Sequence, residues 1–260
     1  MNPDRLILDL KSLASPAPAE VVNLAITASG VVDGYVTRES PLGTLYVAFN
    51  PDGVTAVDLA ESDEAFEDRF ASAEGRQALR VDRAPKRIER HLDRAIETGR
   101  PGPLPLDLSQ LTEFQQAVLN KAAEIPAGEV RPYGWIAKEI GSPGAGRAVG
   151  SALARNPVPV IVPCHRVVRS DGHIGKYSLG GPDNKRALLE AEGLDVDEYS
   201  ALADRGVRFT GSDTTKIFCH PTCGPATRTT EEHQIEFRTA AEAYEAGYRP
   251  CKVCRPVAVA

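Results

Sequence analysis

The sequence lacks any uninterrupted apolar run of about 18 residues, the length a membrane-crossing helix needs. Its opening, MNPDRLILDLKSLASPAPAE, has no basic stretch followed by a long apolar one. Neither a membrane span nor a secretory leader is therefore expected, and the cytoplasm is the default location. Cysteine is scarce. Five residues, an odd number in a chain of 260, exclude a secreted disulfide scaffold. Positive charge is scarce too: 30 Lys and Arg against 36 Asp and Glu give a net charge of −6. That balance excludes a protein that coats nucleic acid indiscriminately, because phosphate affinity comes from Lys and Arg. Internal repeats and low-complexity tracts are missing as well. What is present, 42% apolar and 25% charged residues, suits a folded chain of one large domain or two to three small ones.

The charge is unevenly spread. From Arg131 to Arg186, nine Lys and Arg face only Glu139, Asp171 and Asp183, a local net charge of +6. One face able to meet DNA is expected there. Upstream, VVDGYVTRE, TLYVAF and VTAVDLA are separated by the turn signals SPLG and NPDG and predict an antiparallel meander. Ile88, Leu92 and Ile96, spaced at four, predict a helix, and GRPGPLP reads as a linker over 100–106. Thr112 is a candidate cap for a helix that places Phe114, Val118 and Ala122 on one stripe. YGWIAKEIG, the turn SPGAG and RAVGSALARNP then predict two short helices of helix-turn-helix kind, a pattern shared with ordinary helical hairpins. VPVIVP reads as an apolar strand running into Cys164, and NKRALLEAEG as a closing helix. DVDEYSALADRGVRFTGSD reads as a second linker.

Cys164 stands beside His165 with Arg147, Arg166 and Arg169 in the same basic window. A thiolate is the nucleophile, and imidazole or cationic neighbours favour it. On those residues alone a buried structural cysteine is the favoured reading. So is a core tyrosine at Tyr133 or a surface arginine at Arg147. A cysteine hydrolase is disfavoured, because adjacent residues on a strand end point to opposite sides. From Leu111 to Gly193, however, FQQAVL, IPAGEVRPYG, AGRAVGSAL, NPVPVIVPCHRV, GKYSLGG and LLEAEG occur in one order. This run closely resembles the O6-alkylguanine-DNA alkyltransferase family. SPLGTLYVAF is similar, more weakly, to the family's ribonuclease-H-like amino-terminal domain.

The resemblance implies a protein that repairs double-stranded DNA by transferring the alkyl group of O6-alkylguanine irreversibly to Cys164, once per molecule. It implies that His165 draws off the thiol proton through a water and that Glu192 orients the imidazole. Asn156 would brace the turn. Arg147 would fill the place left by the flipped base, and Tyr133 would turn the 3′ phosphate and return a proton to the departing base. Ser178 would hydrogen-bond O6, with Val167 and Tyr177 walling the pocket. Cys164 occupies the position where alkyltransferase-like lesion binders carry Trp, so chemistry is implied. Two departures stand out: Arg131-Pro132 before Tyr133, where Ser or Thr is common, and a bulky Trp135.

The other four cysteines fall in pairs. Cys219 and Cys223 have three residues between them, Cys251 and Cys254 two, and 27 separate the pairs. That spacing predicts a four-thiolate zinc site, with another soft metal or redox disulfides as alternatives. TTKIFCHPTCGPATR and EFRTAAEAYEAGYRPCKVCRP resemble the metal-binding domain of Ada. The resemblance implies that Cys219 also accepts methyl from a backbone phosphotriester. A module that only docks on DNA, with Arg249, Lys252 and Arg255 beside it, or an inert staple, stays open. The domain follows the alkyltransferase where Ada has it first, and no regulator is expected after it.

The fold class expected is α/β of the α+β kind, for a monomer. A tail (1–24) precedes a ribonuclease-H-like subdomain (25–106) and a helical alkyltransferase domain with a helix-turn-helix (107–195). A linker (196–212) and a small zinc domain (213–260) follow. An alkylation-damage sensor is the alternative function.

Overall fold

The computed structural model describes residues 19–256. Most of the expected tail, residues 1–18, lies outside the described residues. Helix α1 (Ala19–Ala28) leads into the front meander, β1 (Asp33–Ser40), β2 (Gly43–Phe49) and β3 (Val54–Leu59), paired antiparallel. Side chains alternate between its faces as strand geometry requires. Val36, Leu45, Val47 and Phe49 enter the main core. Tyr35 and Tyr46 instead stack with Phe66 and Phe70 of α2 (Asp63–Glu74), with ring centroids 4.8 to 5.9 Å apart. A short strand, β4 (Ala78–Arg80), adds parallel to β1, giving the order β3-β2-β1-β4. Three residues carry no alternation to read, so the sequence does not signal it.

Helix α3 (Lys86–Thr98) buries Ile88, Leu92 and Ile96 as their spacing predicts. It stops at Gly99, whose φ of 56° is left-handed; a Cβ there would collide with the Arg166 guanidinium, so glycine is required twice over. The stretch 100–106 crosses to the next unit and bridges Leu106 to Val54. Helix α4 (Glu113–Ala123) starts with a full capping box between Thr112 and Gln115 and buries Val118, Leu119 and Ala122. Next come β5 (Arg131–Pro132), α5 (Tyr133–Glu139) and α6 (Gly146–Leu153).

Two expectations change. VPVIVP is not a strand. Pro157, Pro159 and Pro163 withhold backbone donors, Val160 takes a φ of 72°, and a lone bridge joins Pro159 to Val162. The segment is a buried loop that ends in a tight turn over Cys164–Arg166, followed by β6 (Val167–Val168), parallel to β5. After α7 (Gly181–Ala191), residues 196–212 are ordered rather than a linker. They form α8 (Val196–Asp204), capped by Asp195, and β7 (Phe209–Ser212). Val196 and Tyr199 pack against Val130, Val168 and Leu189, a helical stripe diluted in the sequence by acidic and small residues. β7 joins β8 (Ile217–Cys219), β9 (Gln234–Phe237) and β10 (Arg249–Pro250) in a sheet of order β10-β8-β7-β9. Helices α9 (Gly224–Thr227) and α10 (Ala240–Glu245) complete this small unit. The architecture is mixed α/β, and among the described residues no helix is long and apolar enough to cross a membrane.

Candidate active site and metal centre

Asn156, just past α6, shapes the buried loop before Cys164. Its Nδ2 donates to Val162 O at 3.0 Å and to Cys164 Sγ at 3.2 Å, while its Oδ1 accepts Val158 N–H at 3.1 Å. The turn places Cys164 and His165 in the interior, 6% and 1% exposed. His165 Nε2 meets Glu192 Oε1 at 2.8 Å, and its buried Nδ1 has no partner among the described residues. Burial holds the imidazole below its ordinary range against the pull of Glu192. Burial raises the Cys164 thiol, with Asn156 and the nearby Lys185 ammonium opposing. Glu192, although burial pushes it up, is held down to about 2 by hydrogen bonds from His165 and Arg166.

Val167 is fully buried beside them, and the Tyr177 ring stands edge-on to His165 at 6.1 Å. The Tyr177 hydroxyl makes no well-aligned hydrogen bond, yet lies near enough to Cys164 for each to shift the other's titration. Tyr133, half-buried at the start of α5, lies over Gly146 and Gly150 of α6. Burial, then the charge of Cys164, keeps its phenol protonated above the usual range. Arg147 is exposed near the start of α6, and Ser178 is exposed in the glycine-rich loop. Cys164, His165, Glu192, Asn156, Val167, Tyr177 and Tyr133 thus converge, while Arg147 and Ser178 stand at the surface.

Three residues of the basic window prove to be interior. Arg166, 0% exposed, donates through Nε and Nη2 to Glu192, and through its remaining N–H groups to Thr98 O, Gly99 O and Ile125 O, at 2.7 to 3.2 Å. Lys185, 1% exposed, donates to Val167 O at 2.6 Å, and burial lowers it to about 8. Arg131 is buried as well. The window's surface charge is therefore smaller than its composition, and Lys138, Arg147, Arg155 and Lys176 stand exposed. The available signal was the position of Arg166 within the apolar run VPVIVPCHRVV.

The four sulfurs of Cys219, Cys223, Cys251 and Cys254 lie within 4.8 Å of one another, all buried and none in a disulfide. Tetrahedral zinc with sulfurs at about 2.3 Å needs them roughly 3.8 Å apart, so the donor set fits. Backbone N–H groups of His220 and Val253 donate to Cys254 Sγ and Cys251 Sγ at 3.4 Å. The cluster is a zinc site.

Residues 113–194 match the profile of the DNA-binding domain of 6-O-methylguanine DNA methyltransferase, and residues 200–257 that of the metal-binding domain of Ada. A methylated-DNA–protein-cysteine methyltransferase of Methanosarcina acetivorans is 37% identical over 159 residues, 61% of this chain and 97% of that protein. The chain belongs to the methylated-DNA–protein-cysteine methyltransferase family. A family member from Mycobacterium tuberculosis is 54% identical over 81 residues, 31% of this chain and 48% of its own. The crystal structure of O6-methylguanine-DNA methyltransferase from Pyrococcus kodakaraensis superposes with a TM-score of 0.50 at 27% identity, over 63% of this chain and all of that one. In the family frame, the 58 residues after 199 matched by the Ada profile are an appended unit.

Proposed function

We propose that the protein is a single-use repair methyltransferase that moves the alkyl group of O6-alkylguanine in double-stranded DNA onto Cys164. The observation that carries the reading is the buried Asn156–Cys164 contact beside the His165–Glu192 pair. Buried groups with perturbed titration mark reaction centres. A thiol raised by burial stays protonated and inert, and an imidazole lowered by burial stays neutral and able to take its proton. His165 Nδ1, which no group among the described residues satisfies, takes the thiol proton through a water. The sulfur then attacks the alkyl carbon, an S–C bond forms and the C–O6 bond breaks. The electron pair leaves with guanine, and the protonated Tyr133 phenol returns a proton to the base. The thioether has no group beside it that could cleave it, so each molecule acts once.

Guanine must leave the stack for this, at a few kcal/mol. In this reading α5 and α6 are a helix-turn-helix, Arg147 fills the gap, Tyr133 turns the phosphate and Ser178 meets O6. The meander unit, residues 25–106, is ribonuclease-H-like, residues 107–195 carry the reaction, and the protein works as a monomer in the reducing cytoplasm, which keeps its thiols free.

Bound zinc keeps the four sulfurs deprotonated and nucleophilic. Cys219 would accept methyl from a phosphotriester. Among the described residues no backbone N–H donates to its sulfur, unlike Cys251 and Cys254. It lines a groove of about 340 Å³ with Arg249 and Lys252, whereas Cys223 is wholly enclosed.

Peptide mass spectrometry of zinc-loaded protein after brief exposure to methylated duplex DNA tests both sites. Methyl on Cys164 and Cys219 is the expected result; methyl on Cys164 alone removes the second activity, and none on Cys164 overturns the proposal. The rate of transfer from O6-methylguanine duplex is expected to stay level from pH 8 down past the ordinary imidazole value of about 6.5, and to fall only in more acid solution. A midpoint at or above 6.5 in a single-turnover pH profile would contradict a neutral buried His165.

A further inference from the structure

The zinc unit grips one continuous segment of the alkyltransferase. From the loop of the first cysteine pair, Thr222 Oγ1 accepts Val130 N–H at 2.9 Å and donates to Val130 O at 3.4 Å. Gly224 N–H donates to Glu129 Oε1 at 3.1 Å. From the loop of the second pair, the Cys254 carbonyl accepts the Trp135 indole N–H at 2.7 Å, and the Arg255 guanidinium pairs with Glu139 at 2.6 Å. The residues held run from Glu129 to Glu139, and Tyr133 lies midway. Trp135 is 4% exposed, with the buried Arg131 guanidinium 6.0 Å from its ring centre. The bulky tryptophan, an oddity within the family motif, thus has a structural partner: a carbonyl of the fourth zinc ligand.

We propose that the zinc-loaded cysteine cluster is a clamp on β5 and α5 that positions Tyr133 for duplex substrates. Repair of the base lesion then depends on the zinc unit, whether or not Cys219 ever accepts a methyl. This rests on the reading of Tyr133 as the residue that turns the target nucleotide. Each cysteine pair carries one jaw, and the four-sulfur joint fixes the two jaws against each other. A freely tethered module would leave Val130 and Trp135 to water; here their polar groups are satisfied across the interface, which makes undocking costly. Misplacing a positioning group by about an ångström can slow a reaction up to roughly a hundredfold. Thr222, Trp135 and Arg255 are positioning residues in this scheme, since none touches the reacting atoms.

Trp135 is the single tryptophan, so its fluorescence reports docking directly in the full-length, zinc-loaded protein. Chelating the zinc is expected to shift its emission to the red. Transfer from O6-methylguanine in duplex should fall by roughly tenfold, as a displaced positioning group predicts, and transfer from the free O6-methylguanine base, which needs only the proton that Tyr133 returns, should fall less, so that the duplex-to-free-base ratio drops. Thr222→Val should reproduce that split with zinc content unchanged. Arg255→Ala, at the exposed edge, should do so more weakly and serves if Thr222→Val fails to fold. Tyr133→Phe is the reference. If it leaves the duplex-to-free-base ratio unchanged, the reading of Tyr133 falls and the clamp with it. If Tyr133→Phe lowers the ratio while chelation and both clamp variants leave it alone, or if emission stays fixed on chelation, the clamp alone is overturned.

Discussion

Cys164→Ser should leave a folded protein that transfers nothing from O6-methylguanine duplex to itself. The substitution is close to isosteric, and the serine oxygen can still accept from Asn156 Nδ2, so unfolding should change by less than about 1 kcal/mol. The chemistry fails because a hydroxyl buried beside a neutral imidazole is a far poorer nucleophile than a thiol that His165 can ionise. A loss beyond about a thousandfold, more than roughly 4 kcal/mol of barrier, is expected in a single-turnover assay that follows label from DNA to protein. Transfer at near the parental rate would place the acceptor elsewhere and remove the central role from the Asn156–Cys164–His165 group.

Glu192→Gln should be strongly destabilising. Among the described residues the carboxylate is the only acid paired with Arg166, whose side chain is 0% exposed. Removing one partner of a buried pair costs about 3–5 kcal/mol, because the other charge is left without compensation. The depression of Glu192 from 4.5 to about 2 points to a similar size, roughly 3 kcal/mol. The sign is fixed by the direction of the shift. A carboxylate lowered on folding contributes fully above its ordinary value, and the contribution is lost as pH falls through the folded one. Parent and variant should therefore differ most in urea unfolding at pH 7 and converge as pH drops from 5 toward 2. A gap that does not narrow would separate the loss from the carboxylate charge. Transfer should fall as well, since His165 loses the group that orients it.

Much of this was legible in the chain. The meander, the α3 stripe, the Thr112 cap and the two helices carrying Tyr133 and Arg147 all follow from periodicity and turn chemistry. The paired cysteines told of metal through spacing alone. What escaped was set by tertiary contact. The VPVIVP run has strand composition, yet three prolines and the amide of Asn156 give its backbone other partners. Residues 196–212 read as a linker in the sequence because their apolar stripe is thinned by Asp and Glu, and only the facing Val130 and Leu189 make it a buried helix. Arg166 and Lys185 looked like surface cations, since nothing in a linear sequence says that carbonyls and a carboxylate converge where their side chains end. The grip of the zinc unit on Trp135 was invisible for the same reason.

All five sulfurs are sheltered, none more than 6% exposed. The reagents that scar DNA are small electrophiles that attack any open thiol, and a protein with one shot per acceptor could be spent by them in solution before it met a lesion. Enclosure sets the order of events: it favours a methyl group that arrives on a base or phosphate the site can hold over one carried by a reagent free in solution. The burial that slows the thiol is also what saves it for the damage it can undo.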